Sequence, residues 1–275
     1  MTLSVPHAQL ADGHSLDVIG YGVYKVPPED TERLCATALG SGYRLIDTAA
    51  LYGNEAGVGA AVRAWSGDRD DLFVTSKVWN DAHGYDATLR AFDTTMDLLG
   101  LDRLDLYLIH WPCPAQDLYV ESWRALTQLR AEGRVRSVGV SNFQQDHLQR
   151  LLDETGVLPV LNQVELHPYL QQRELRAFHE QHGILTQAWS PLGRGSVLGD
   201  PVVGELAEQL GRTPAQVVLR WHLQHGILTI PKSSTPERIS SNLDIFGFAL
   251  DDRQLAALDG LDRDQRSGSH PDRVG

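Results

Sequence analysis

From Gly20 onward, short apolar runs alternate with longer stretches whose apolar residues recur every three or four positions, the pattern of repeated βα units around a parallel sheet. The apolar runs near Gly20 to Val23, Arg44 to Asp47, Leu72 to Lys77, Leu104 to His110, Ser137 to Ser141, Val160 to Glu165, Leu185 to Trp189 and Leu228 to Lys232 predict eight strands, the number that closes a barrel. Leu89, Phe92, Met96 and Leu99 form one helical stripe, and Leu148, Leu151 and Leu152 part of another, so helices are predicted to cover the barrel.

Ahead of the first barrel strand, His7 to Leu10 and Ser15 to Ile19 flank Ala11-Asp12-Gly13-His14, whose Asp-Gly predicts a hairpin capping the barrel's bottom. Between the seventh and eighth strands, Val202 to Leu210 and Thr213 to Gln224 predict two helices, the second with Thr213 as N-cap and Pro214 at its first position. Gly260 to Gly275 shows no periodicity. The expected fold is α/β, a single (β/α)8 barrel over residues 1–275, with the N-terminal hairpin below and extra helices before and after the eighth strand.

Composition narrows the partners. Acids outnumber bases 36 to 24, a formal net charge of −12, and no run of Lys and Arg offers a footprint for nucleic acid or an anionic membrane. The two cysteines, Cys35 on a predicted helix and Cys113 in a loop, form no disulfide framework and fit a reducing cytosol. Met1 to Leu10 lacks the pattern of a secretory leader, and no apolar run is long enough for a membrane span, so a cytoplasmic protein is expected. No HExxH, no paired Cys-x-x-Cys and no carboxylate cluster points to a metal.

The strand ends carry the chemistry. Asp47 ends the second strand with Tyr52 five residues on, Lys77 ends the third and His110 the fourth. In an α/β barrel these ends converge on one face, so four titratable groups meet where proton transfer is possible. Each alone has a plainer reading: a turn Asp, a packing tyrosine, a core histidine. Their joint occurrence on consecutive strand ends favours a shared site of proton transfer over these plainer readings.

Residues Gly42 to Gly59, the strand ending in Lys77, His110-Trp111-Pro112, Gly139-Val140-Ser141-Asn142-Phe143 and Ile230-Pro231-Lys232-Ser233 together resemble the aldo-keto reductases across almost the whole chain. Gly20-Tyr21-Gly22-Val23-Tyr24-Lys25-Val26-Pro27-Pro28 and Leu219-Arg220-Trp221-His222-Leu223-Gln224 bring it nearest the bacterial 2,5-diketo-D-gluconate reductases. The resemblance implies carbonyl reduction with Asp47, Tyr52, Lys77 and His110 as the catalytic tetrad: Tyr52 as acid, Lys77 drawing its pKa down, Asp47 orienting Lys77, and His110 donating to the substrate oxygen. It implies that Ser141, Asn142 and Gln163 hold a nicotinamide carboxamide, that Trp189 stacks on the nicotinamide, and that Ser190, Leu192 and Gly193 follow the pyrophosphate. It also places Asn242 at the adenine. Tyr24, Trp79 and Trp111 would wall the substrate pocket beside His110.

After the eighth strand, Lys232-Ser233-Ser234-Thr235-Pro236-Glu237-Arg238 predicts a helix start, Thr235 its N-cap, whose free N–H groups face an anion. Lys232 and Arg238 beside hydroxyl donors suit the 2′-phosphate of NADPH. The glycine run Gly193 to Gly199 lacks Rossmann spacing. The expected activity is NADPH-dependent reduction of small ketones and aldehydes by a monomer. Two other readings stand: a nicotinamide-binding sensor without catalysis, and a glycosidase using Asp47 and Glu165 as paired carboxylates. The short polar tail and the short loop Cys113 to Tyr119 predict an open pocket mouth.

Overall fold

A computed structural model describes residues 5–275. The predicted hairpin forms from β1 (His7–Gln9) and β2 (Ser15–Asp17), antiparallel, with Gly13 at φ 92° in the turn where a side chain would strain the backbone. Leu10 and Leu16 from this hairpin pack against Leu45, Phe73, Leu106 and Leu161, so the hairpin plugs the barrel floor with apolar side chains.

Eight parallel strands follow in chain order around the sheet: β3 (Tyr21–Gly22), β4 (Leu45–Asp47), β5 (Phe73–Val78), β6 (Leu104–Ile109), β7 (Val135–Ser141), β8 (Leu161–Glu165), β9 (Leu185–Trp189) and β10 (Leu228–Thr229). The ring closes where Ile19 bridges Thr229 in parallel and the Gly20 N–H donates to the Thr229 oxygen at 2.8 Å. β3 and β10 are shorter than the sequence predicts. Pro231 has no N–H to give the ladder, and Gly20 and Gly22 bring no side chain to pack along it. The seam persists as one long contact, from the Gly22 N–H to the Pro231 oxygen at 3.3 Å.

The helices α1 (Pro28–Ser41), α2 (Glu55–Arg63), α3 (Tyr85–Leu99), α4 (Tyr119–Ala131), α5 (Gln145–Thr155), α6 (Arg173–His182), α7 (Pro201–Leu210), α8 (Pro214–Gln224), α9 (Pro236–Leu243) and α10 (Asp252–Asp259) surround the sheet. Phe92 and Leu99 of the predicted stripe are fully buried, with Leu89 and Met96 packed beside them. α2 and α3 approach so closely at Gly59 that a Cβ there would lie 1.8 Å from the Leu99 oxygen. The Thr213 hydroxyl accepts from the Gln216 N–H and Gln216 returns the bond, so α8 begins where its capping residues dictate. Among the described residues no helix is long and apolar enough to cross a membrane. After α10 the chain runs back across the face where the strands end, with one short turn at Pro271–Arg273.

Candidate active site

The strand ends bring Asp47, Tyr52, Lys77 and His110 together. Lys77 is wholly buried and donates to Asp47 Oδ1 at 2.6 Å and to the Thr48 oxygen at 2.9 Å. A short helical turn, Ala50–Tyr52, lifts Tyr52 above that pair, with Lys77 Nζ 5.2 Å from its ring centre. The His110 ring stands edge-on to Tyr52 at 5.7 Å and to Trp79 at 5.0 Å. Asp47 Oδ2 accepts from Gln163 Nε2 at 2.7 Å, so both carboxylate oxygens are engaged.

Burial sets the protonation states. It pushes the Lys77 ammonium down, opposed by the charge and hydrogen bond of Asp47. It drives His110 well below its ordinary value, and the charge of Lys77 adds to this, so the imidazole is neutral near pH 7. The sequence expectation for Tyr52 is reversed. Burial raises its pKa well above 10, helped by the Asp47 carboxylate and by Tyr24. A phenol lifted out of water loses more by ionising than a neighbouring ammonium returns, so Tyr52 stays protonated.

Asp47, Tyr52 and His110 line a cavity of about 300 Å³ whose wall is formed by Tyr24, Trp79, Trp111 and Trp189, with Lys77 buried behind it. Trp189 donates through Nε1 to Asn142 Oδ1 at 2.8 Å, and Asn142 Nδ2 donates to the His110 oxygen at 2.9 Å. Ser141 Oγ donates to the Gln163 oxygen at 2.8 Å. Ser141, Asn142, Gln163, Ser190 and Lys232 all reach this cavity; Leu192, Gly193, Ser233, Ser234, Thr235, Arg238 and Asn242 do not line it. Asn142 (φ 65°), Ser190 (φ 47°) and Arg194 (φ 53°) sit in the left-handed region, and all three line the cavity. Backbone strain of this kind concentrates where the surrounding structure enforces a functional geometry.

The helix start after β10 forms as predicted at Pro236, preceded by Thr235, but the Thr235 hydroxyl makes no cap bond. The Ser233 hydroxyl instead accepts from the Thr235 N–H at 3.1 Å. The first turn of α9 is left without a side-chain acceptor, with Lys232 and Arg238 exposed on either side.

Two sequence readings fail here. Asp47 and Glu165 are not a facing pair: Asp47 is committed to Lys77 and Gln163, and Glu165 does not line the cavity. Glu165 is buried and accepts from the Ser267 N–H at 2.6 Å, from the Ser267 hydroxyl at 2.5 Å and from the Gly268 N–H at 2.9 Å. Those bonds draw the tail over the pocket, so Gly268, Ser269 and Val274 become part of its wall and the mouth is narrower than an unstructured tail implies. Arg194 also lines the cavity, and Gln187 lies in the barrel interior beside Gln163; neither was singled out from the sequence. Gln187 was legible there. In β9 it alternates with Thr186 and Ala188, and the strand period places it inward beside Gln163.

The sequence profile of the aldo/keto reductase family matches residues 18–263. The chain belongs to the aldo/keto reductase family. It is 51% identical over 269 residues to an aldo-keto reductase of Mycobacterium sp. (strain JLS), spanning 98% of each chain. It is 48% identical over 269 residues to the methylglyoxal reductase DkgA of Escherichia coli (strain K12), spanning 97% of each. Among solved structures, that of a Gox0644 mutant in complex with NADPH is similar with a TM-score of 0.95 at 50% identity, covering 99% of this chain and 100% of the other.

Proposed function

We propose that this aldo/keto reductase reduces small ketones and aldehydes with NADPH, Tyr52 giving the proton to the carbonyl oxygen. The observation that carries the reading is the meeting of Tyr52 and His110 over the buried Lys77–Asp47 pair, at the floor of a cavity walled by aromatic rings.

The residues present fit the cofactor. Gln163 Oε1 lies at the cavity and accepts no hydrogen bond from the described residues, which leaves an acceptor for a carboxamide N–H. Trp189 offers a flat wall beside it. The uncapped turn of α9 between Lys232 and Arg238 suits an anion. Ser141, Asn142, Gln163 and Trp189 would hold the nicotinamide end, Ser190, Leu192 and Gly193 the pyrophosphate, and Lys232, Ser233, Ser234, Thr235, Arg238 and Asn242 the adenosine phosphate end. Bound there, NADPH supplies the hydride.

The chain's own groups handle the oxygen. His110 Nδ1 is buried without a partner, so the neutral ring has only Nε2 to turn to the substrate, and a hydrogen there would orient the carbonyl. Tyr52 is protonated at the start. A phenol is a stronger acid than the alcohol being formed, so its proton moves downhill onto the developing alkoxide. The phenolate left behind lies near the Lys77 ammonium, which Asp47 and the Thr48 carbonyl hold in place. Tyr24, Trp79 and Trp111 would hold the substrate and keep water from the reacting oxygen.

In this reading the cavity of about 300 Å³ takes both the nicotinamide and the carbonyl compound, which favours a small substrate. Compact dicarbonyls such as methylglyoxal and 2,5-diketo-D-gluconate fit that limit, and the name of the Escherichia coli relative supports the choice. The test is consumption of NADPH in the presence of methylglyoxal, beside a direct titration of NADPH. Turnover supports the reading; tight NADPH binding without turnover on any small carbonyl would make the chain a nicotinamide sensor instead.

A further inference from the structure

We infer that Gln187, by accepting the second N–H of Gln163, is a positioning residue that together with Asp47 holds the Gln163 amide with its oxygen toward the cofactor; this rests on the NADPH reading above. β4 and β8 lie four places apart in the closed ring of eight strands, on opposite sides of the barrel. The bond from Gln163 Nε2 to Asp47 Oδ2, 2.7 Å, therefore crosses the barrel interior. Gln187 is paired in register with Gln163 across β8 and β9, and its Oε1 accepts the second N–H of the same Nε2 at 2.7 Å. All three side chains are buried.

The direction of this chain of bonds is forced from one end. An ionised Asp47 carboxylate only accepts, so the Gln163 atom facing it is nitrogen. The Gln187 atom facing that nitrogen must accept as well, so it is oxygen. With both hydrogens of Nε2 spent, Gln163 has only Oε1 to offer the cavity, an acceptor matched to an amide N–H and mismatched to a carbonyl oxygen. Gln187 bears a cost for this: its own Nε2 is buried without a partner. Turning the Gln187 amide over would satisfy nothing, because two N–H groups would then face each other. Residue 187 is thus an acceptor set against a donor, and it couples the tetrad carboxylate to the nicotinamide position.

The test compares the wild type with Gln187→Met, which keeps the length and removes the acceptor, and Gln187→Glu, which keeps the acceptor. NADP+ and adenosine 2′,5′-bisphosphate, which lacks the nicotinamide half, are titrated against each by calorimetry, and kcat for methylglyoxal is followed against pH. One lost buried hydrogen bond weakens binding by up to about tenfold. Gln187→Met is expected to lose roughly that factor for NADP+, to hold adenosine 2′,5′-bisphosphate within about twofold, and to move the pH profile of kcat. Gln187→Glu is expected to bind NADP+ within about threefold of wild type. Unchanged NADP+ affinity in Gln187→Met, parallel losses for both ligands, or a selective tenfold loss in Gln187→Glu would each overturn the inference. Should Gln187→Met not fold, the Gln187→Glu titration decides alone. Failure of the wild-type chain to bind NADP+ would instead remove the cofactor reading, and this inference with it.

Discussion

The Glu165 carboxylate holds Ser267 by two bonds, one from its N–H at 2.6 Å and one from its hydroxyl at 2.5 Å. Burial works to raise the pKa of Glu165, but the bonds from His167, Ser267 and Gly268 outweigh it and hold the group at about 2. The charged form is therefore the one that fastens the tail. Gly268 fits tightly beneath: a Cβ there would lie 2.6 Å from the Trp189 ring and 3.0 Å from Glu165 Oε2. Glu165→Ala is expected to free residues 260–275, so that trypsin cuts after Arg266 faster and KM for a small carbonyl rises several-fold. Proteolysis at the wild-type rate would mean that other contacts hold the tail.

Tyr52→Phe removes the proposed acid and leaves the ring that packs against Tyr24, 5.0 Å away. Loss of a general acid typically costs a factor of about 10² to 10⁴, so kcat should fall by at least two orders of magnitude while NADPH affinity and Tm stay near wild type. A Phe variant that turns over a good substrate at close to the normal rate would assign the proton to another group.

The barrel and its strand-end chemistry were legible because both follow from short-range rules. Inward alternation, helical stripes and the Asp-Gly turn each act over a few residues, and the barrel topology then carries Asp47, Lys77 and His110 to one face. What was not legible depended on long-range burial. Lys77 lies beside Tyr52, yet the phenol is lifted rather than lowered, because desolvation is a property of the packed environment and not of sequence neighbours. The tail shows no period, since its conformation is set by a carboxylate 102 residues away. The first turn of α9 has a proline and a threonine in the right places, but whether Thr235 caps depended on Ser233 reaching its N–H.

Buried histidines set the acid limb of stability. Burial lowers His83 and His222 to about 4 and His179 to about 3, and holds His110 well below its ordinary value. Between their ordinary pKa of 6.5 and these folded values, the unfolded chain binds more protons than the folded one, so stability is full above about pH 6.5 and falls as pH drops below it. Each group contributes at most about 1.4 kcal/mol per pH unit. Asp17, raised by burial to about 6, and Glu55, also raised by burial, act with the opposite sign but are fewer. Tm should therefore decline from about pH 6.5 to about pH 5; a level or rising Tm over that range contradicts the account.

Lys232 and Arg238 flank the uncapped turn of α9 and carry the proposed preference for a 2′-phosphate. Charge-assisted bonds contribute about 1.5–3 kcal/mol each, so Lys232→Ala with Arg238→Ala should weaken NADPH by well over tenfold and leave NADH nearly unchanged. Fluorescence titration of both cofactors reads this directly, and equal losses would place the phosphate elsewhere.

Substrate size follows from the cavity and the tail together. The tail residues Gly268, Ser269 and Val274 lie on one side of the mouth and Tyr24, Trp79 and Trp111 form the apolar wall; in the proposed cofactor site the nicotinamide occupies part of the same space. Missing or excess bulk in a rigid pocket is worth roughly 1–3 kcal/mol per methylene-sized mismatch, and a four-ring steroid exceeds the remaining space by many such units. Methylglyoxal and 2,5-diketo-D-gluconate should thus show higher kcat/KM than any ketosteroid with NADPH. Arg194, exposed at the cavity and with no ion-pair partner among the described residues, further favours the acid of the two dicarbonyls. Arg194→Ala should raise KM for the diketo acid and leave methylglyoxal untouched. Steady-state rates for the three substrates with both proteins decide the point: a steroid preference would sink the size argument, and equal effects of Arg194→Ala on both dicarbonyls would remove the arginine from acid recognition.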